Sequence, residues 1–134
     1  MLTNEQHAVP AGEYMNPAQQ SFFAALLRER LDDVLADIDR VKASMGNLGS
    51  AADPLDQAVI EDERHSLARS LERLNQKTKE ILNALQSIKD NEYGWCEDTG
   101  EEIGIDRLLA QPTARFSAVA QTYQEGRMRQ FNRA

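Results

Sequence analysis

Residues 67–88, LARSLERLNQKTKEILNALQSI, place Leu67, Leu71, Leu74, Thr78, Ile81, Leu85 and Ile88 at spacings that alternate four and three. That is the 3.5-residue period of a coiled-coil seam, with Thr78 its one polar member. Upstream, Ala24, Leu27, Leu31, Val34, Ile38, Val41 and Met45 repeat the same alternation. Between the two seams lies Gly46-Asn47-Leu48-Gly49-Ser50-Ala51-Ala52, whose two glycines break a helix. Two heptad helices joined by so short a break predict an antiparallel hairpin. Both predicted starts carry capping residues. Asn16-Pro17 supplies an N-cap and a first-turn proline, with Gln19 where a capping-box partner belongs. Asp53-Pro54-Leu55-Asp56 repeats the arrangement, and the Asp56 carboxylate suits the positive end of the helix dipole. From Asp56 to Leu67 the large aliphatics are Val59 and Ile60, and Glu61-Asp62-Glu63-Arg64-His65 intervenes. The far end of the hairpin is therefore expected to be thinly packed, polar and projecting, with a small tip at 46–58.

The chain of 134 residues has 41% hydrophobic and 28% charged residues, the balance of an ordinary globular domain. It contains no apolar run long enough for a transmembrane helix. The opening MLTNEQHAVPAGEY lacks the basic and apolar regions of a secretory signal, so a cytoplasmic location is expected. A formal net charge of −7 speaks against binding free nucleic acid, which rests mainly on neutralising phosphates. The exception is the segment 106–134, with Arg107, Arg115, Arg127, Arg129 and Arg133 against Asp106 and Glu125. It reads as a solvated helix or a protein contact, and no direct DNA binding is expected.

The second informative stretch is Tyr93 to Phe116, YGWCEDTGEEIGIDRLLAQPTARF. Gly94-Trp95-Cys96 and Thr99-Gly100 look like a tight metal-binding turn, yet Cys96 is the chain's one cysteine. The block resembles the C-terminal finger of the DksA/TraR family of RNA polymerase-binding regulators, a run like YGYC-x-x-CG-x-EIGI-x-RL-x-A-x-PTA followed by two more cysteines. Glu102-Ile103-Gly104-Ile105, Arg107-Leu108 and Pro112-Thr113-Ala114 match that run. The four metal positions of the family fall on Cys96, Thr99, Ser117 and Ala120, so three of the four are lost. Structural zinc takes four ligands of the Cys or His type. His7 and His65 lie too far along the chain to complete the set, and a substitute among Glu97, Asp98 and Glu101 is the other option. The expectation is a finger without zinc and a protein without a cofactor. Structural zinc contributes on the order of 10–16 kcal/mol to finger peptides. Burial of a large apolar side chain contributes about 1.5–3 kcal/mol, so several must share the task. Trp95, Ile103, Ile105, Leu108, Leu109, Phe116, Val119 and Tyr123 are available. A last helix over about 115–131 is expected to turn Phe116, Val119, Tyr123 and Met128 inward.

The resemblance extends from about Glu13-Tyr14-Met15-Asn16 to about Gln130. It implies binding in the secondary channel of bacterial RNA polymerase by a monomer, with cooperation of the alarmone ppGpp at the polymerase interface, as in the stringent response. In the family the coiled-coil tip carries a D-P-x-D-x-A pattern that acts near the polymerase active site. Here it is Asp53-Pro54-Leu55-Asp56-Gln57-Ala58, which implies Asp53, Asp56 and Ala58 as the functional tip. Arg69 and Arg73 match family arginines that contact polymerase. The family's alarmone positions fall on Lys77, Glu80, Gln111 and Gln121, where it commonly carries leucine, lysine, arginine and lysine. Glu80 should repel a phosphate, while Lys77 adds a cation.

Other readings stand beside these. Capping alone explains Asp53 and Asp56, and Arg69 and Arg73 also suit a solvated face. A carboxylate pair could deliver Mg²⁺, although capping would commit the first carboxylate to the backbone. A nucleophilic Cys96 needs a neighbouring base, and none is close in sequence, so no enzyme is expected. The alternative function is a structural coiled-coil adaptor that pairs its arm with another protein. The expected plan is mainly α: a flexible segment 1–15, a long antiparallel coiled-coil hairpin over 16–91, and a small base over 92–134 holding a metal-free, zinc-finger-like knuckle and the C-terminal helix.

Overall fold

A computed structural model describes residues 9–133 of the chain. Four helices follow in order: α1, Pro17–Gly46; α2, Pro54–Lys89; α3, Ile105–Ala110; and α4, Ala118–Arg133. Among the described residues none is long and apolar enough to cross a membrane. The chain divides into two units, Met1–Leu27 with Asn83–Ala134, and Arg28–Leu82. The fold is mainly helical, with α1 and α2 as a long antiparallel pair. The division departs from the expected plan, because residues 16–27 and 83–91 at the open end of the pair share a core with the finger. Phe23, Leu27 and Leu108 are fully buried in the first unit, and the Phe23 ring lies 5.6 Å from that of Tyr93.

Both long helices begin at the residues that their caps predict. The Asn16 Oδ1 accepts from the Gln19 N–H at 2.8 Å. In return the Gln19 side chain accepts from the Met15 N–H at 2.8 Å, one residue before a standard capping box. At the second start the Asp53 Oδ1 accepts from the Leu55 N–H at 2.9 Å. The end of α2 is equally well marked. Asn91 adopts φ +61°, its N–H bonds to the Ile88 carbonyl and that of Glu92 to the Ser87 carbonyl. This is a Schellman stop with asparagine in the left-handed position.

The expected flexible leader over 1–15 needs correction where it is described. Residues 1–8, His7 among them, lie outside the described residues. Tyr14 and Met15 are part of the first unit's packing. Met15 is 6% exposed, and the Tyr14 ring meets that of Trp95 edge-on at 5.2 Å. The cause is hydrogen bonding as well as apolar contact. Gln19 is itself buried and donates to the Pro10 carbonyl at 2.9 Å, while Gln20 donates to that of Met15 at 2.7 Å. These bonds hold Met15 at φ +55°, a backbone region that a non-glycine side chain enters only when its surroundings impose it.

Candidate functional site

The knuckle in the first unit is a short loop closed by backbone bonds. Cys96 N–H donates to the Glu101 carbonyl at 2.7 Å and Gly100 N–H to the Cys96 carbonyl at 2.9 Å. Ile103 N–H donates to the Gly94 carbonyl at 2.8 Å, and Trp95 pairs with Glu102 in an isolated antiparallel bridge. The Tyr14 hydroxyl closes the base of this loop, donating to the Gly94 carbonyl at 2.6 Å and accepting from the Gly104 N–H at 2.9 Å. Gly94 has no alternative there. Its φ is +91°, and a Cβ would lie 2.7 Å from the Met15 Cγ. Behind the loop, the Tyr93 hydroxyl donates to the Pro112 carbonyl at 2.7 Å. Burial, and after it the neighbouring Tyr14, push the Tyr93 phenol above its ordinary range.

The structure gathers the four degenerate metal positions and gives each a different task. Cys96 is buried, 3% exposed. Burial pushes its thiol up. Hydrogen bonds from the Thr99 hydroxyl and from the backbone of Ser117, Thr99 and Asp98 outweigh that and bring it down to about 7. Thr99 also accepts from the Glu101 N–H at 3.2 Å through its hydroxyl. Ser117 is the N-cap of α4, its Oγ accepting from the Ala120 N–H at 3.2 Å. Ala120 is a buried methyl, 6% exposed. One thiol, two hydroxyls and a methyl do not make a zinc donor set. Among the described residues, no group of three or more His, Cys, Asp and Glu side chains could hold a metal ion. His65 lies on α2 in the second unit.

The packing expected to stand in for the metal is only partly there. Ile103, Leu108 and Leu109 are buried, while Trp95 is 39% exposed. Val119, Tyr123 and Met128 were expected to face inward but are 82%, 64% and 61% exposed. The Ser117 cap fixes where α4 begins and which side turns in, and that side carries Ala120. Polar ties complete the attachment. Arg107 Nε donates to the Phe116 carbonyl at 2.9 Å, the Glu97 N–H donates to the Arg115 carbonyl at 2.9 Å, and Gln124 reaches the Asp98 carboxylate.

The second unit carries the tip. Asp53, the N-cap of α2, and Asp56 and Ala58 in its first turns are all exposed. Leu55 and Val59 beside them are 73% and 63% exposed, so the tip presents apolar as well as acidic surface. The Asp53 cap uses one carboxylate oxygen and leaves the other for a partner. Two residues to which the sequence assigns no role, Gln57 and Arg64, order the loop before the tip. Gln57 accepts from the Ala51 N–H at 2.8 Å and donates to Glu61 at 3.0 Å, while Arg64 donates to the Gly49 carbonyl at 3.4 Å. Their sequence signal was weak, because a glutamine and an arginine on a polar helix face announce no partner.

Further along α2, Arg69 and Arg73 are exposed one turn apart. Arg73 Nη2 donates to the Ser70 hydroxyl at 3.1 Å. Arg73 and Lys77 line an open groove of about 340 Å³ between α1 and α2, opposite the paired Asp37 and Arg40. Of the expected alarmone positions, Lys77 and Glu80 fall in this unit and Gln111 and Gln121 in the other.

Comparison with known proteins adds three findings. Residues 91–126 match the family described as the prokaryotic dksA/traR C4-type zinc finger. The chain is similar to the RNA polymerase-binding transcription factor DksA of Salmonella typhimurium, 35% identical over 122 residues covering 90% of this chain and 81% of that one. For the proteins of the same name from Escherichia coli K12 and Caulobacter vibrioides the identity is 34%, covering 90% and 87% of this chain and 81% and 82% of theirs. Among solved structures, transcription factor DksA2 from Pseudomonas aeruginosa superposes with a TM-score of 0.83 at 38% identity, covering 93% of this chain and 97% of that one.

Proposed function

This chain belongs to the DksA/TraR family, and on that premise we propose that it regulates transcription by binding bacterial RNA polymerase through the secondary channel. The observation that carries the proposal is the exposed tip Asp53, Asp56 and Ala58, in a chain aligned over 90% of its length with relatives named for polymerase binding. The tip modulates the stability of promoter complexes near the active site, and Arg69 and Arg73 anchor the arm on the enzyme. Its effect is allosteric: contacts that differ between two promoter-complex states shift their populations. Complexes that are intrinsically short-lived lose initiation first, which is the pattern of the stringent response. The cytoplasm is the compartment of this activity, and the protein acts as a regulator rather than an enzyme.

The finger works without structural zinc. The support is chemical: three of the four ligand positions are Thr99, Ser117 and Ala120, and Ser117 is already engaged as a helix cap. Such a protein could replace a zinc-dependent relative when zinc is scarce or thiols are oxidised. Cooperation with ppGpp at the polymerase interface is part of the same reading, with Lys77 the cation on this chain and Glu80 opposing a phosphate.

Transcription in vitro from a ribosomal RNA promoter tests the proposal. The protein should inhibit it, and Asp56→Asn should bind polymerase as the parent does while losing about tenfold in inhibition, the scale of one charged hydrogen bond. Unchanged transcription with the parent protein would remove the family function. A variant that fails to fold would return Asp56 to a capping role alone.

A further inference from the structure

The loop that leads into the tip has little backbone structure of its own. From Gly49 to Asp53 no backbone N–H among the described residues bonds to another backbone group. Gly49 stands at φ +65°, with open space around it. The loop's order comes instead from side chains one to three turns into α2. The Gln57 carboxamide accepts from the Ala51 N–H at 2.8 Å and donates to the Glu61 carboxylate at 3.0 Å. Glu61 in turn faces Arg64 at 3.7 Å, and Arg64 reaches the Gly49 carbonyl at 3.4 Å. The chain closes on the loop at two points, just before Asp53.

We infer that Gln57 is a positioning residue for the acidic tip, latching the loop through Ala51 so that Asp53 and Asp56 are held ready for their partner. The inference rests on the tip reading proposed above. Ala51 lies two residues before Asp53, so fixing its N–H fixes the direction from which the chain enters the α2 cap. Once Arg69 and Arg73 have anchored the arm, an ordered tip engages in a larger share of the bound complexes than a loose one, because it loses less conformational entropy in doing so. Gln57 itself needs no contact with polymerase for this effect. A carboxamide suits the position because one end must accept and the other donate.

The test uses the full-length protein and four variants: Gln57→Ala, Gln57→Glu, Gln57→Glu with Glu61→Gln, and Asp56→Asn. Gln57→Glu keeps an acceptor for Ala51 but sets two carboxylates face to face. The paired exchange returns a donor and an acceptor to the same two positions; the Glu61–Arg64 contact it gives up joins half-exposed groups and contributes little. In the free protein, exchange of the Ala51 amide should quicken about three- to tenfold in both single Gln57 variants, the weight of one hydrogen bond, and return in the paired exchange. Inhibition of transcription at saturation should fall and recover in the same order, with the half-saturating concentration within about twofold of the parent, because the Arg69 and Arg73 anchors are untouched. If Asp56→Asn loses inhibition while every Gln57 variant keeps it, the latch is wrong and the tip reading stands. If Asp56→Asn also keeps inhibition, both fall. Failure of the paired exchange to recover what Gln57→Glu loses overturns the latch as well.

Discussion

The Tyr14 phenol donates to the Gly94 carbonyl and accepts from the Gly104 N–H, so one side chain ties together the two ends of the knuckle loop. Tyr14→Phe keeps the edge contact with Trp95 and removes both bonds. It should lower stability by about 1–3 kcal/mol in thermal or denaturant unfolding, and an unchanged midpoint would contradict the role given to Tyr14. Cys96 supplies a second residue-level prediction. Its thiol titrates at about 7 in the fold against an ordinary value of 9.0, so the folded state favours the thiolate. The stabilisation is then fully present above pH 9 and is lost as pH falls through 7. Unfolding free energies measured from pH 6 to 9 should therefore rise with pH, and Cys96→Ser should flatten that rise. The two residues differ in how readable they were. Cys96 stood out as a solitary thiol in a metal-type turn. Tyr14 did not, because its partners lie 80 and 90 positions away and such pairing leaves no local mark.

At the scale of elements, α1 and α2 were legible almost to the residue. Their periodicity, the Asn16 and Asp53 caps and the asparagine stop of α2 are local signals that act together. Helix α4 was legible only as a helix. Its apolar residues Val119, Tyr123 and Met128 suggested a buried face, but the Ser117 cap sets its start so that the small Ala120 turns inward. Two substitutions separate these accounts. Val119→Ser should stay within about 0.5 kcal/mol of the parent, as an exposed change does. Ala120→Leu should cost about 1–3 kcal/mol through overpacking, and the reverse ranking would restore the inward face for Val119. At the start of α2, Asp53→Ala should lower stability by about 0.5–2 kcal/mol as the loss of an N-cap.

On the scale of the whole molecule, identity and proposed activity fall in different units. The finger that matches the family lies in the first, whereas the tip, Arg69 and Arg73 all lie in the second. A net charge of −7 suits a protein that works through an enzyme rather than on bare nucleic acid. The finger's departure from its family is what ties the two halves of the account together. Its donor set is dissolved into a cap, a hydroxyl tie and a methyl, yet the loop keeps its backbone closure and its tyrosine clasp. The sequence exposed the lost ligands but not what replaced them, since cap and clasp depend on which chain segments meet. The most direct measurement is transcription in vitro from a ribosomal RNA promoter with protein stripped by a strong chelator and assayed with and without added zinc. The account predicts equal inhibition in both conditions, and inhibition that appears only when zinc is restored would contradict it.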